Sequence, residues 1–164
     1  MSATTLIATL EKLYKLNKSL FDLSVKKTDV IKGGDMEGLD HLLKDEQKHI
    51  AAINMVENDR QRESAEYLRT MDLLTEEPPT LSQCIEYSPP GDQAVLRDWQ
   101  IKLTELVSLL KERNELNQKL VYQSLQFVNM NLSAMQPQDR QSTYSRPNGE
   151  KKAPAQRSIF DSQA

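Results

Sequence analysis

Two histidines and an aspartate are the residues in this chain whose types and spacing best suit metal chemistry. His41, Asp45 and His49 follow one another at four-residue intervals, so on a helix they form one strip. Imidazole and carboxylate groups are zinc ligands. The strip nevertheless lies away from the apolar seam that includes Leu39, and exposed polar residues at helical spacing are common. We interpret the strip as a solvated helix face and predict no metal and no cofactor.

The sequence lacks the motifs that support known catalytic chemistry. It contains no nucleophile elbow, no glycine-rich phosphate loop, no HExxH and no CxxC. Catalysis needs groups that converge in a pocket, and a thin helical bundle offers little concavity. We therefore predict that the protein is not an enzyme. A metal-dependent helical enzyme is an alternative that rests on the histidine strip alone.

Asn114 and Asn117 are an informative pair because both lie close to an apolar helix stripe that includes Leu103. Apolar side chains would pack better there. A buried asparagine costs stability but sets register and partner choice in coiled coils. Two interpretations follow: the asparagines are satisfied inside the protein and set the register, or they line a polar slot that recognises a partner.

The last long helical segment is apolar on more than one face. Its seam continues through Val121, Leu125, Val128 and Leu132. A second stripe on another face consists of Leu109, Leu116, Leu120 and Phe127, with Met130 beyond it. One bundle neighbour needs only one apolar stripe. The second stripe must therefore meet the first helix, a second subunit or a client helix.

The hydrophobic spacing predicts three long helices, at residues 4–32, 36–74 and 92–135. Gly33 and Gly34 end the first helix, and Asp35 caps the second. Pro78 and Pro79 are predicted to stop the second helix. A short helix follows, capped by Thr80 and ending near residue 87. We predict an all-α fold: an elongated antiparallel bundle or coiled coil of three long helices, with a short helix in the second connection and a disordered C-terminal tail.

Composition excludes several other classes of protein. The chain has 164 residues, only 5% aromatic residues and five glycines, which argues against a β-sandwich or barrel. No apolar run approaches the length of a membrane span, and the N-terminus lacks the pattern of a secretory signal. Cys84 is the single cysteine, as expected in a reducing cytoplasm. The net charge of −3 argues against nucleic-acid binding. We expect a cytoplasmic protein without direct membrane insertion.

Composition changes at the end of the last long helix. We divide the chain into a helical body, residues 1–135, and a flexible tail, residues 136–164, that is too polar to fold alone. The tail carries five basic and three acidic residues, a charge of +2, which leaves −5 on the body. Its larger apolar residues are Tyr144 and the pair Ile159 and Phe160. Such isolated groups are either short recognition motifs or unused sequence.

The last long helix and the tail resemble the FlgN-type flagellar export chaperones. The matching stretches are RNELNQ at residues 113–118, LVYQSLQFVNMNLSAM at residues 120–135, Thr143-Tyr144 followed by Gly149, and RSIFDSQA at the C-terminus. The resemblance implies a non-enzymatic cytosolic chaperone of type III export. Its implied clients are the hook–filament junction proteins FlgK and FlgL, held until they reach the membrane export gate, which includes FlhA.

The resemblance also implies roles for particular residues. The apolar last helix takes part in holding an amphipathic client segment, and Tyr144 corresponds to the tail tyrosine associated with docking at the gate. From the apolar pattern, we expect the client to lie on the second stripe. We accordingly expect separate regions for holding clients and for delivering them. The main alternative is a homodimeric coiled-coil scaffold whose second stripe is the dimer seam.

Overall fold

The computed structural model describes residues 3–74 and 77–136, which form four helices and no strand. The helices are α1 (Ala3–Gly33), α2 (Met36–Arg69), α3 (Leu81–Tyr87) and α4 (Pro90–Met135). The prediction of an all-α fold is confirmed, as is the short helix in the second connection. With 46 residues, α4 is about 70 Å long.

The turn between α1 and α2 has the predicted end signals. Gly34 adopts a φ of +67°, in the left-handed region where glycine carries no steric penalty. The Asp35 carboxylate then accepts a hydrogen bond of 2.9 Å from the backbone N–H of Gly38. This bond satisfies one of the free donors at the start of α2. The glycine stop and the aspartate cap are therefore confirmed.

The predicted end of α2 and the predicted start of α4 were wrong. Helix α2 ends at Arg69 rather than at residue 74, well before the prolines. The chain reverses because Asp72 takes a φ of +58°, and the N–H of Leu73 donates to the carbonyl of Leu68 at 3.1 Å. Helix α4 begins at Pro90 rather than Asp92. Proline suits the first helical position, where the missing N–H has no intrahelical partner.

Helix α1 is the central element, and α2 and α4 pack on either side of it. Lys27 of α1 pairs with Glu46 of α2, whereas the earlier residue Ser19 meets the later residue His49, so α1 and α2 are antiparallel. Helix α4 runs in the same direction as α1, as shown by contacts that join Tyr14 to Trp99 and Thr28 to Asn117. Within the described residues, no Cα atom of α2 lies within 8 Å of a Cα atom of α4.

Helix α3 closes the gap between α2 and α4 at the end of the molecule where α1 begins. Its Cys84 and Ile85 are buried in the hydrophobic core. The other core residues are Ala3, Leu6, Leu10 and Leu13 of α1, Tyr67 and Leu68 of α2, and Leu96 of α4. Gln100 of α4 donates a hydrogen bond of 2.8 Å to Ser82, which fixes α3 along α4. The position between α2 and α4 is thus occupied at this end only.

Candidate functional site: an open groove and an exposed helix end

A groove of about 620 Å³ runs between α2 and α4, with α1 as its floor. It lies beyond the end of the molecule that α3 closes. Its lining consists of Leu20 and Lys27 from α1, Leu39, Leu43, Glu46 and Ile50 from α2, and Asn114, Asn117, Gln118, Val121, Tyr122 and Leu125 from α4. The groove is open because, among the described residues, no Cα atom of α2 lies within 8 Å of a Cα atom of α4; at the α3 end, the Tyr67 hydroxyl of α2 nevertheless donates to the Asp92 carboxylate of α4 at 3.3 Å. It has the shape of a vacant helix position beside three existing helices.

Apolar side chains line both ends of the groove, with Asn114 as a polar residue on the α4 wall at one end. Leu43 and Ile50 are each 41% exposed, although the spacing of α2 places both on its apolar seam. Leu125 is 58% exposed on the opposite wall. Apolar side chains that line a concave surface and remain in contact with water are typical of a binding groove. Part of each of these side chains faces the open groove.

A polar belt, formed by Lys27, Glu46 and Gln118, crosses the groove between its apolar ends. Lys27 Nζ donates to both carboxylate oxygens of Glu46, at 2.8 and 3.1 Å. The two side chains are only 18% and 11% exposed. Such an ion pair is only weakly stabilising relative to apolar packing, but removal of one partner leaves an uncompensated charge. The pair joins α1 to α2 at a fixed register.

The two predicted asparagines occupy different environments. Asn117 is 2% exposed: its Nδ2 donates to the carbonyl of Ser24 at 2.8 Å, and its Oδ1 accepts from Thr28 Oγ1 at 2.6 Å. Asn117 therefore joins α4 to α1. Asn114 is exposed and lies at the groove wall. Both asparagines line the groove, and the hydrogen bonds to Ser24 and Thr28 of α1 are made by Asn117.

From about residue 122 onward, α4 extends past the end of α1. Thr28 lies beside Asn117 and α1 stops at Gly33, so residues 122–136 extend about 20 Å past the turn between α1 and α2. We call residues 122–136 the distal segment; all of them are exposed. Leu125, Val128 and Leu132, which continue the apolar seam in the sequence, are 58%, 51% and 56% exposed.

The second stripe divides between two surfaces. Leu109 and Leu116, 50% and 40% exposed, line a shallow depression beside Phe21 of α1. Leu120 is half-buried. Phe127 and Met130, 66% and 71% exposed, lie on the distal segment. The stripe predicted from spacing is thus largely exposed, but its members do not form one continuous pocket.

The histidine strip has no metal-binding geometry. His41 is exposed, and the His49 ring bonds to Ser19 Oγ and to the carbonyl of Asp45, each at 2.8 Å. Over residues 3–74 and 77–136, no group of three histidine, cysteine or acidic side chains is placed to hold a metal ion. His49 instead contributes a contact between α1 and α2.

The groove and its ion pair were not foreseen from the sequence. One signal was available: Glu46 falls on the apolar seam of α2, where a carboxylate needs a partner. The residue that satisfies it, Lys27, belongs to another helix, so the pairing depends on the register of α1 against α2.

The predicted tail residues Tyr144, Ile159 and Phe160 lie outside the described residues, as does nearly all of the proposed tail.

None of the helices in the described part of the chain is long and apolar enough to cross a membrane.

The model of the FlgN protein family matches residues 1–152, which include Tyr144 and Gly149 but not Ile159 or Phe160. The chain is also 30% identical over 165 aligned residues to the "Uncharacterized protein YvyG" of Bacillus subtilis (strain 168), with both chains covered in full. No solved structure matches the chain. Members of the matching family are generally not enzymes; they bind flagellar hook-associated proteins. The chain belongs to the FlgN family, whose members act as flagellar export chaperones.

Proposed function

We propose that the protein is a cytoplasmic chaperone that holds the hook–filament junction proteins FlgK and FlgL and delivers them to the type III export gate. The observation that carries this proposal is the uncovered apolar surface of α4, which forms one wall of the groove and then continues as the distal segment. Family membership supports the chaperone role. Beyond family membership, we propose FlgK and FlgL as the clients and the export gate as the place of delivery.

The uncovered surface suits a helical client. The groove lies between helices, and its apolar residues recur at helical spacing on both walls, as at Leu39, Leu43 and Ile50. An amphipathic client helix placed there would complete a local four-helix arrangement. Burial of apolar surface contributes about 25 cal/mol per Å² before entropic and polar costs. Client binding would also cover the exposed side chains of the distal segment.

The proposed division of labour assigns holding to the helical body, residues 1–135, and delivery to the tail. Tyr144 is the proposed contact with the export gate, including FlhA, at which the chaperone is present transiently. Ile159 and Phe160 are a proposed second tail motif. Two weak contacts joined by a flexible linker gain strength through effective concentration. Separate sites would allow the protein to hold a client and dock at the gate at the same time.

The test is calorimetric titration of the full chain with the C-terminal segments of FlgK and FlgL, each measured separately. We expect saturable one-to-one binding to at least one segment. A folded chain that gives no heat and no co-elution with either segment contradicts the proposal. If light scattering then shows a tight dimer that dissociates on mutation of Phe127, the homodimeric scaffold is the better description.

Two substitutions locate the two activities. Phe127→Asp places a charge on the distal segment and is expected to weaken client binding about tenfold or more, because apolar contact with Phe127 is lost. Gln126→Asp adds the same charge at the neighbouring exposed residue and is the matched control. Tyr144→Ala is expected to leave client binding intact and to weaken capture by the cytosolic domain of FlhA. Loss of client binding in Tyr144→Ala would contradict the separation of holding from delivery.

A further inference from the structure

We propose that the groove between α2 and α4 selects a client helix whose apolar face is interrupted by one uncharged hydrogen-bonding residue, level with the polar belt of Lys27, Glu46 and Gln118. This inference rests on the proposed function, because it describes the occupant of the same surface. It specifies the chemistry of that occupant: a segment of about three helical turns, apolar at both ends and polar at its centre.

The length of the occupant follows from the walls of the groove. Leu39 and Ile50 mark its extent on α2, and Asn114 and Leu125 mark it on α4. Each pair is separated by eleven residues (50 − 39 and 125 − 114), or about 16 Å of helix. A facing helix of the same length has about three turns. The two walls therefore agree on the size of the segment that they accommodate.

The shape of the occupant is indicated by α3. This helix already occupies the position between α2 and α4 at the other end of the molecule, where it inserts Cys84 and Ile85 into the core. It meets both neighbours: Gln100 of α4 donates a 2.8 Å hydrogen bond to Ser82, and Cys84 and Ile85 share the core with residues of α2. A client helix in the groove would fill the part of this position that α3 leaves empty. A helix is therefore the expected form of the occupant.

The polar requirement follows from the hydrogen bonds of the belt. Lys27 Nζ carries three N–H groups, and two of its hydrogen bonds are made with Glu46. The remaining donor and acceptor capacity of the pair, and the amide of Gln118, face the open groove, where solvent water can reach them. An entirely apolar helix would remove that water and provide no substitute, which is costly for a buried charged pair. A glutamine, asparagine or serine at this level provides the missing partner.

The spacing of the preferred segment can be stated from α2. Glu46 lies four residues from Ile50 and three from Leu43, with Leu39 four residues farther on. A facing helix accordingly needs an apolar residue, a polar residue four positions later, and apolar residues about three and seven positions beyond that. The polar residue falls on the same helix face as its apolar neighbours. This pattern separates the preferred segment from an ordinary fully apolar stripe.

The experiment uses two designed, labelled peptides of about fifteen residues that follow this spacing and differ only at the central position, which is Gln in one and Leu in the other. Fluorescence anisotropy against the full chain measures both affinities. We expect the Gln peptide to bind about tenfold more tightly. The double variant K27M/E46L, which makes the belt apolar, is expected to reverse this preference. The matched control is K44M/D40L, the same change at an ion pair that is 67% and 61% exposed, and it is expected to keep the wild-type preference.

Several results would overturn the inference. The first is equal or tighter binding of the Leu peptide by the wild-type chain, which decides the question even if the double variant does not fold. The second is a preference that K27M/E46L leaves unchanged, and the third is binding of neither peptide. If the FlgK or FlgL segment binds in the same assay, the proposed function stands although the inference fails. If F160D increases peptide affinity, the occupant of the groove is the tail of this chain. If the protein forms a dimer that the peptides do not dissociate, the occupant is a second copy of the chain. Either result also overturns the inference.

Discussion

Truncation of Asn117 tests how the central part of α4 is held on α1. Asn117→Ala removes two hydrogen bonds: the one donated to the Ser24 carbonyl at 2.8 Å and the one accepted from Thr28 Oγ1 at 2.6 Å. Each such bond contributes about 1 kcal/mol net. The side chain is 2% exposed, so its loss also leaves a small cavity. We expect the free energy of unfolding to fall by about 2 to 3 kcal/mol.

We expect the loss in the free energy of unfolding to be no larger, because Asn117→Ala leaves no buried polar group without a hydrogen-bond partner. Thr28 Oγ1 lies 3.2 Å from the Ser24 carbonyl, so the hydroxyl keeps an acceptor and the carbonyl keeps a donor after the truncation. The additional penalty for an unsatisfied buried polar group, about 1 to 3 kcal/mol, is thereby avoided. A larger loss would mean that the hydroxyl cannot turn towards Ser24.

The assay is urea unfolding followed by far-UV circular dichroism, with Asn114→Ala as the matched control. Asn114 is the same residue type on the same helix but is exposed, so its truncation is expected to cost less than about 0.5 kcal/mol. A double-mutant cycle of Asn117→Ala with Thr28→Val should give a coupling energy of about 1 kcal/mol. Equal effects of the two asparagine truncations, or strict additivity in the cycle, would refute the account of how α4 is held.

Three further predictions follow from burial and charge. Lys27→Met is expected to lower the free energy of unfolding by about 3 kcal/mol, because it leaves the Glu46 carboxylate largely buried without its cation; in urea titrations, Lys44→Met at an exposed pair should cost under about 0.5 kcal/mol. Burial raises the pKa of the Cys84 thiol above its ordinary value of 9.0, so the unfolded chain loses this proton first and stability falls as pH rises past that value. The stability advantage of the wild-type chain over Cys84→Ala should therefore shrink between about pH 8 and about pH 10, and an advantage that is constant with pH would contradict the assignment. Phe127→Asp should change the melting temperature little, since Phe127 is 66% exposed; a substantial fall would show that the distal segment packs within the protein.

Local signals explain why much of the secondary structure is visible in the sequence. Gly34 and Asp35 end and restart a helix through backbone conformation and a side-chain cap, both of which act within a few residues. Thr80 likewise caps α3, together with Gln83. The end of α2 was mispredicted because the turn depends on Asp72 in a left-handed conformation, for which the sequence offers a weaker signal than the prolines that follow.

The candidate site also has features that the sequence predicts and features that only helix packing decides. Periodicity alone identified the excess apolar surface of α4, because the number of apolar faces on a helix is a property of its sequence. Whether those faces are covered depends on where the neighbouring helices stop. Leu125 and Val128 follow the seam pattern as well as Leu106 does, yet only Leu106 is buried. Helix α1 ends at Gly33, and the sequence of α4 gives no indication of where its neighbour ends.

The amino-acid sequence by itself determined the helical class, most of the helix boundaries and the apolar character of α4, since these depend on spacing and on interactions within a few residues. Only the tertiary structure decided that a groove opens between α2 and α4 over α1, that α3 closes one end of the space between them, and that Lys27 meets Glu46 within the groove. The physical reason is that these features arise from contacts between helices distant in sequence, whose relative register is set by packing of the whole molecule.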